Sequence, residues 1–217
     1  MAEDDGLAHE SAADDLDPAA PLDMTEAPRG EDAERTNYGS NGRGELPEGE
    51  AEEEDTENPG GAELVIDIAK AHGFLKACMT SQPRVHYGLG AKAKAGAVPG
   101  KDFQAIDCSG FVREAIRRST DLGNKFPDGS VVQHDWVKKR GFKNVGISAG
   151  SNQDGAVRIA FLSPSDSPSK IGHVVLIYQS MTLESHGGSG PNERLWNGKG
   201  WQAKARVYVL DPAGGSA

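Results

Sequence analysis

The sequence has only two cysteines, Cys78 and Cys108, too few for the disulfide framework on which small secreted domains rely. Long hydrophobic runs are missing as well. The longest purely apolar stretches, such as Val174-Val175-Leu176-Ile177, fall far short of the roughly 18–20 residues a membrane-spanning helix needs, so no membrane span is expected. The opening Met-Ala-Glu-Asp-Asp has neither the basic nor the apolar region of a secretory signal peptide. The expectation is cytoplasmic synthesis, with any delivery to a cell wall by lysis, a virion or a specialised secretion route. No internal repeat of about 20–50 residues is present.

Basic, aromatic and β-branched residues are scarce at one end of the chain. Residues 1–60 carry 20 Asp or Glu against Arg29, Arg35 and Arg43, a formal charge of −17. Self-repulsion and chain entropy outweigh the little apolar surface such a segment can bury, and Pro18, Pro21, Pro28, Pro47 and Pro59 interrupt helical runs. Residues 1–60 are therefore expected to be a disordered acidic tail. From residue 61 onward there are 20 Lys or Arg and 13 Asp or Glu, a formal charge of +7, together with every Trp and Phe. Residues 61–212 have the size and composition of a folded domain, and 213–217 read as a frayed C-terminus. The charge split suggests that the tail contacts the basic domain and screens it from anionic polymers. Nucleic acid is not an expected partner.

Leu64, Ile68, Ala71, Leu75 and Cys78 recur at spacings of three and four, which predicts a helix over about residues 62–79. A second helix is expected from about Ser109, with Phe111, Val112, Ala115 and Ile116 on its apolar side and Gly123 as a stop. After Gly155 the pattern turns to strands at Val157–Phe161, His173–Tyr178, Met181–Ser185 and Arg206–Leu210. Helices first and strands after predict an α+β class, with N-terminal helices packed on an antiparallel sheet.

Asp107-Cys108-Ser109-Gly110-Phe111-Val112 places a cysteine at a helix entrance. The unpaired N–H groups and positive dipole end found there favour a thiolate, the nucleophilic form. Cys78 continues an apolar stripe and reads as a small buried hydrophobe. Cys108, flanked by Asp107 and Ser109, reads either as a reactive thiol or as a buried one.

Among the six histidines, His173 opens an apolar strand where a polar ring is unexpected; it reads either as a functional ring or as a core histidine bonded to a backbone carbonyl. If His173–Tyr178 and Met181–His186 form a hairpin turning at Gln179-Ser180, Tyr178 faces Met181 and, counting back, His173 faces His186. Opposed residues share one face of the pair. His186 could then hold the His173 ring in the tautomer that turns its other nitrogen toward the thiol. Two other readings stay open: His186 as a loop residue beside Gly187 and Gly188, and Cys108, His173 and His186 as zinc ligands, though without the close spacing typical of such sites.

These residues resemble the NlpC family of papain-like cell-wall endopeptidases. The resemblance spans roughly residues 84–190 and rests on features in order: Tyr87-Gly88-x-Gly90, the Asp107–Val112 block, Pro127 with Ser130 and Gln133, the strand Gly155–Phe161, Gly172-His173-Val174, and a polar residue 13 positions later. One departure is Gly155-Ala156, where the family usually has Gly-Asp. The resemblance implies a papain-like core with Cys108 as nucleophile, His173 as base and His186 as the orienting residue. By the same resemblance Tyr87, with Asp107 and Ser109 beside the nucleophile, would serve the oxyanion or the substrate. The implied reaction cleaves the D-γ-glutamyl to diamino acid bond of peptidoglycan stem peptides, with no cofactor and no metal.

Gly187, Gly188, Arg194 and Trp196, with Trp201, form a candidate cleft wall; the alternative is a loop with two partly buried aromatics. Two further functions remain open: an amidase or acyltransferase using the same pair, and a non-catalytic wall-binding or assembly module of a phage particle or secretion apparatus.

Overall fold

The computed structural model describes residues 62–213. The expected acidic tail, its contact with the basic domain and the residues after 213 lie outside the described residues. Three α-helices, an antiparallel six-stranded sheet and a short strand pair organise the described chain: α1 Ile68–Thr80, β1 His86–Tyr87, β2 Ala105–Ile106, α2 Cys108–Ser119, α3 Ser130–Lys139, β3 Asn144–Val145, β4 Val157–Leu162, β5 His173–Tyr178, β6 Met181–His186, β7 Gly190–Leu195 and β8 Arg206–Asp211. The large sheet has the order β3-β8-β4-β5-β6-β7, and β1 and β2 form a separate parallel pair. The mixed α+β class is as expected.

The first helix starts later than its spacing suggests. Asp67 caps it by accepting from the Lys70 N–H at 3.1 Å, and the preceding residues run extended along β8. There the Leu64 N–H donates to the Leu210 carbonyl at 2.8 Å and the Ile66 N–H to the Asp211 carboxylate at 2.9 Å. Leu64 therefore joins the core from an extended segment, which shares apolar contacts with a helix but not its period.

Both faces of the central strands are covered. On one side Phe74, Leu75, Phe111, Val112, Ile116 and Phe126 pack on Ile159, Phe161, Val174, Leu176 and Leu183. On the other, Ala160, Val175, Ile177 and Val207 pack with Trp196 and Ala205. Burial on two faces explains why β4 and β5 read as nearly continuous apolar runs. Alternation along β5 sends Val174 and Leu176 to the helices and leaves His173 with Val175 and Ile177, where its ring meets Trp201 edge-on at 5.0 Å.

The β5–β6 hairpin has the expected register, Tyr178 opposite Met181. Gln179 and Ser180 take φ values of 49° and 62°, the left-handed pair that a two-residue turn between twisted strands requires. Neither is the Gly or Asn that favours this geometry. The turn is tied down by the Trp196 N–H, which donates to the Ser180 carbonyl at 2.7 Å.

Candidate active site

The sequence Asp107-Cys108-Ser109-Gly110 builds a helix start. Asp107 is extended and its Oδ1 accepts from the Gly110 N–H at 2.7 Å, so Cys108 becomes the first residue of α2. Its N–H belongs to the first turn, where the helix supplies no acceptor. Cys108 is 5 % exposed and its thiol lies 3.9 Å from the Gly172 carbonyl, which brings it beside the first residue of β5.

That residue is His173. Its Nε2 bonds Glu184 Oε2 at 2.8 Å, leaving Nδ1 for the thiol. Burial alone would deprotonate this ring, but its interactions with the neighbouring Cys108 and with Glu184 together outweigh burial and raise its pKa to about 9. Glu184 is itself fully enclosed. It accepts from Arg194 Nε at 2.9 Å and Nη2 at 2.7 Å, and from the Thr182 hydroxyl at 2.5 Å. Burial opposes its charge, yet His173 and Arg194 hold the carboxyl well below the usual range. The four groups form a chain from Arg194 through Glu184 and His173 to Cys108.

The side chain bonded to His173 Nε2 is thus Glu184, and His186 does not make the contact that the sequence reading assigns it. The His186 Nδ1 bonds the Gly187 carbonyl at 2.7 Å, and its Nε2 is buried without a hydrogen bond. The reason is geometric. In the register of this hairpin Glu184 lies diagonally across from His173 on the same face, where a long side chain spans the gap. Among the described residues no three His, Cys, Asp or Glu side chains, Cys108, His173 and His186 included, are grouped so as to hold a metal ion.

Tyr87 is placed by β1, which pairs with β2 immediately before the cysteine, Tyr87 opposite Ile106. Burial, with Cys108 and Asp107 nearby, pushes its phenol well above the ordinary value, so the O–H stays a donor. Asp107 and Ser109 are not open to a substrate. The Asp107 carboxylate takes the Lys92 ammonium at 2.6 and 2.5 Å and the Gly90 N–H at 3.1 Å. The Ser109 hydroxyl donates to Asp107 at 3.1 Å and accepts from Lys92 at 2.6 Å.

The expected cleft wall comes apart. Gly187 and Gly188 form the turn between β6 and β7, and Arg194 reaches back to Glu184. Trp196 is 1 % exposed and donates to the Ile147 carbonyl at 2.9 Å, while a Cβ at Gly150 would overlap its indole. It is core, because a strand rather than a loop precedes it.

Glu184, Lys92 and Thr182 are the site residues that sequence reasoning missed. The Glu184 signal was available: a carboxylate inside the strand run Met181–His186, on the same face as Thr182 and His186.

No protein-family model matches the chain, and no curated protein matches its sequence. The functional reading rests on the geometry and on the motif resemblance.

Proposed function

We propose that the chain is a cysteine endopeptidase with a papain-like core that cleaves the D-γ-glutamyl to diamino acid bond of peptidoglycan stem peptides. The observation that carries the reading is a cysteine at a helix N-terminus, set beside a buried histidine whose far nitrogen is held by a buried carboxylate. The choice of bond comes from the resemblance of the Tyr87, Asp107–Val112 and Gly172-His173 segments to the NlpC family.

In this mechanism His173 takes the thiol proton and the Cys108 sulfur attacks the scissile carbonyl carbon. The oxyanion receives the Cys108 N–H and the Tyr87 O–H. Losing one such donor typically costs on the order of 100-fold in rate. His173 then protonates the departing amine, leaving a thioester. Water, deprotonated by His173, attacks the thioester; the carboxylate leaves and the thiol is restored. Glu184 stabilises the imidazolium in each step, and Arg194 and Thr182 keep its carboxylate aimed at Nε2.

The test is incubation of the protein and its Cys108→Ala variant with soluble muropeptides of defined stem length, with products identified by mass spectrometry. Fragments split after the γ-glutamyl residue, absent with the variant, are expected. Release of the whole stem peptide would assign an amidase instead. No cleavage, with wall binding retained by both proteins, would replace the hydrolase with a binding or assembly module.

A further inference from the structure

Lys92 has no part in the mechanism above, yet its ammonium is the most heavily coordinated cation beside the nucleophile. Its Nζ contacts both Asp107 oxygens, the Ser109 hydroxyl and Asp128 Oδ1, the last at 3.1 Å. The side chain is only a quarter exposed, and a Cβ at Gly110 would already press on its Cδ at 3.0 Å. The lysine stem lies in a fitted slot against the first turn of α2.

Asp107 does two things with opposite consequences for Cys108. As a cap it satisfies the Gly110 N–H and starts the helix whose amides favour a thiolate. As an uncompensated anion next to the nucleophile it would disfavour the same thiolate. An ammonium on Asp107 keeps the first effect and cancels the second. The same contact ties two segments together. The Gly90 N–H donates to Asp107, and the Asp107 N–H donates to the Ala91 carbonyl at 2.9 Å, so the stretch just after Tyr87 is clamped to the residue just before Cys108.

We infer that Lys92 is a positioning residue that neutralises Asp107 and holds the Tyr87 segment against the start of α2, so that Cys108 is presented as a nucleophile. The inference rests on the reading of Cys108 as the reacting thiol. The charged and titratable groups around that thiol are Tyr87 from β1, Asp107 at the cap, Lys92 with Asp128 and Arg113 beyond it, and His173 backed by Glu184 from β5 and β6. Among them Lys92 is the cation bonded directly to Asp107.

The experiment measures alkylation of Cys108 by iodoacetamide at neutral pH, by peptide mapping, in the full chain and in Lys92→Met and Lys92→Ala. Cys78 serves as the internal blank, since burial pushes its thiol up to about 12. Methionine keeps the packed stem and removes the charge; alanine opens a slot that n-propylammonium fits. Both variants are expected to alkylate about tenfold more slowly, as removal of one close compensating charge implies. Millimolar n-propylammonium should restore Lys92→Ala but leave Lys92→Met unchanged. Wild-type rates in both variants would overturn the inference. So would slowing that propylammonium does not relieve, or faster alkylation from a loosened fold, because either assigns Lys92 a structural role alone. Alkylation needs no muropeptide, so this result stands apart from the cleavage test: positive rescue without cleavage would sink the hydrolase and leave the Lys92 assignment intact.

Discussion

Glu184 meets His173 diagonally across the β5–β6 pair, Oε2 to Nε2 at 2.8 Å, and it does so while bonded to Arg194 and Thr182. A carboxylate in that place acts by charge as well as by direction. Glu184→Gln keeps an acceptor for Nε2–H but removes the charge, so the imidazolium should deprotonate at lower pH than its present value of about 9. The alkaline limb of kcat/KM should move down, and kcat at neutral pH should fall about 10–100-fold. An unmoved limb would mean that Glu184 only orients the ring.

His186→Ala should leave that limb in place and change kcat less than about threefold, because His186 bonds Gly187 rather than His173. A loss as large as that of Glu184→Gln would return the orienting role to His186. The two pH profiles, measured side by side, decide between them.

The same pair makes stability depend on pH from both sides. Glu184 is depressed below its unfolded value of 4.5, so its contribution is present above that pH and is lost as pH falls through the folded value. His173 is raised from 6.5 to about 9, so its contribution is complete below 6.5 and is lost as pH rises through about 9. The Tm difference between the protein and Glu184→Gln should therefore be greatest between pH 4.5 and 6.5 and shrink toward pH 9. A difference that stays constant across that range would show the pair to be energetically uncoupled.

Gly172 has no room for a side chain: a Cβ would come within 2.6 Å of Ser130 Oγ and 3.3 Å of the Leu162 carbonyl. Its own carbonyl lies against the Cys108 thiol. Gly172→Ala should lower kcat by shifting His173 relative to Cys108, and Ser130→Ala, which removes the nearest obstacle, should recover part of the loss. A double-mutant cycle with additive effects would refute the contact.

Trp196 fills the second core so closely that Gly150→Ala should displace its indole and cost about 1–3 kcal/mol in urea unfolding. A variant as stable as the parent would mean that the ring moves freely.

Much of this arrangement can be read from residue order. The apolar runs Val157–Phe161 and His173–Tyr178 mark the central strands, and Asp107-Cys108-Ser109 marks a capped helix with its thiol exposed to the dipole. The remainder escaped for specific reasons. Strand β7 begins Gly190-Pro191, a pair that usually ends strands; it is tolerated because β7 lies at the sheet edge, where a proline's missing N–H leaves no ladder bond unmade. Helix α3 buries only Gln133 and Val137, too thin a stripe for periodicity to reveal. Glu184 was hidden by counting straight across the hairpin when the contact runs along its diagonal.

His173, Glu184 and Arg194 all come from residues 173–194, three successive strands linked by tight turns, whereas Cys108 arrives from a helix far earlier in the chain. The proton-handling half can assemble by local folding, and the sulfur joins it only when α2 docks on β5 and β6. Until then the thiol has neither its imidazole nor a fixed carbonyl neighbour, and its chemistry is that of any free cysteine. On the proposed reading of Cys108 as nucleophile, docking of one helix completes the site: the thiol gains its imidazole and its carbonyl neighbour only with the finished tertiary structure.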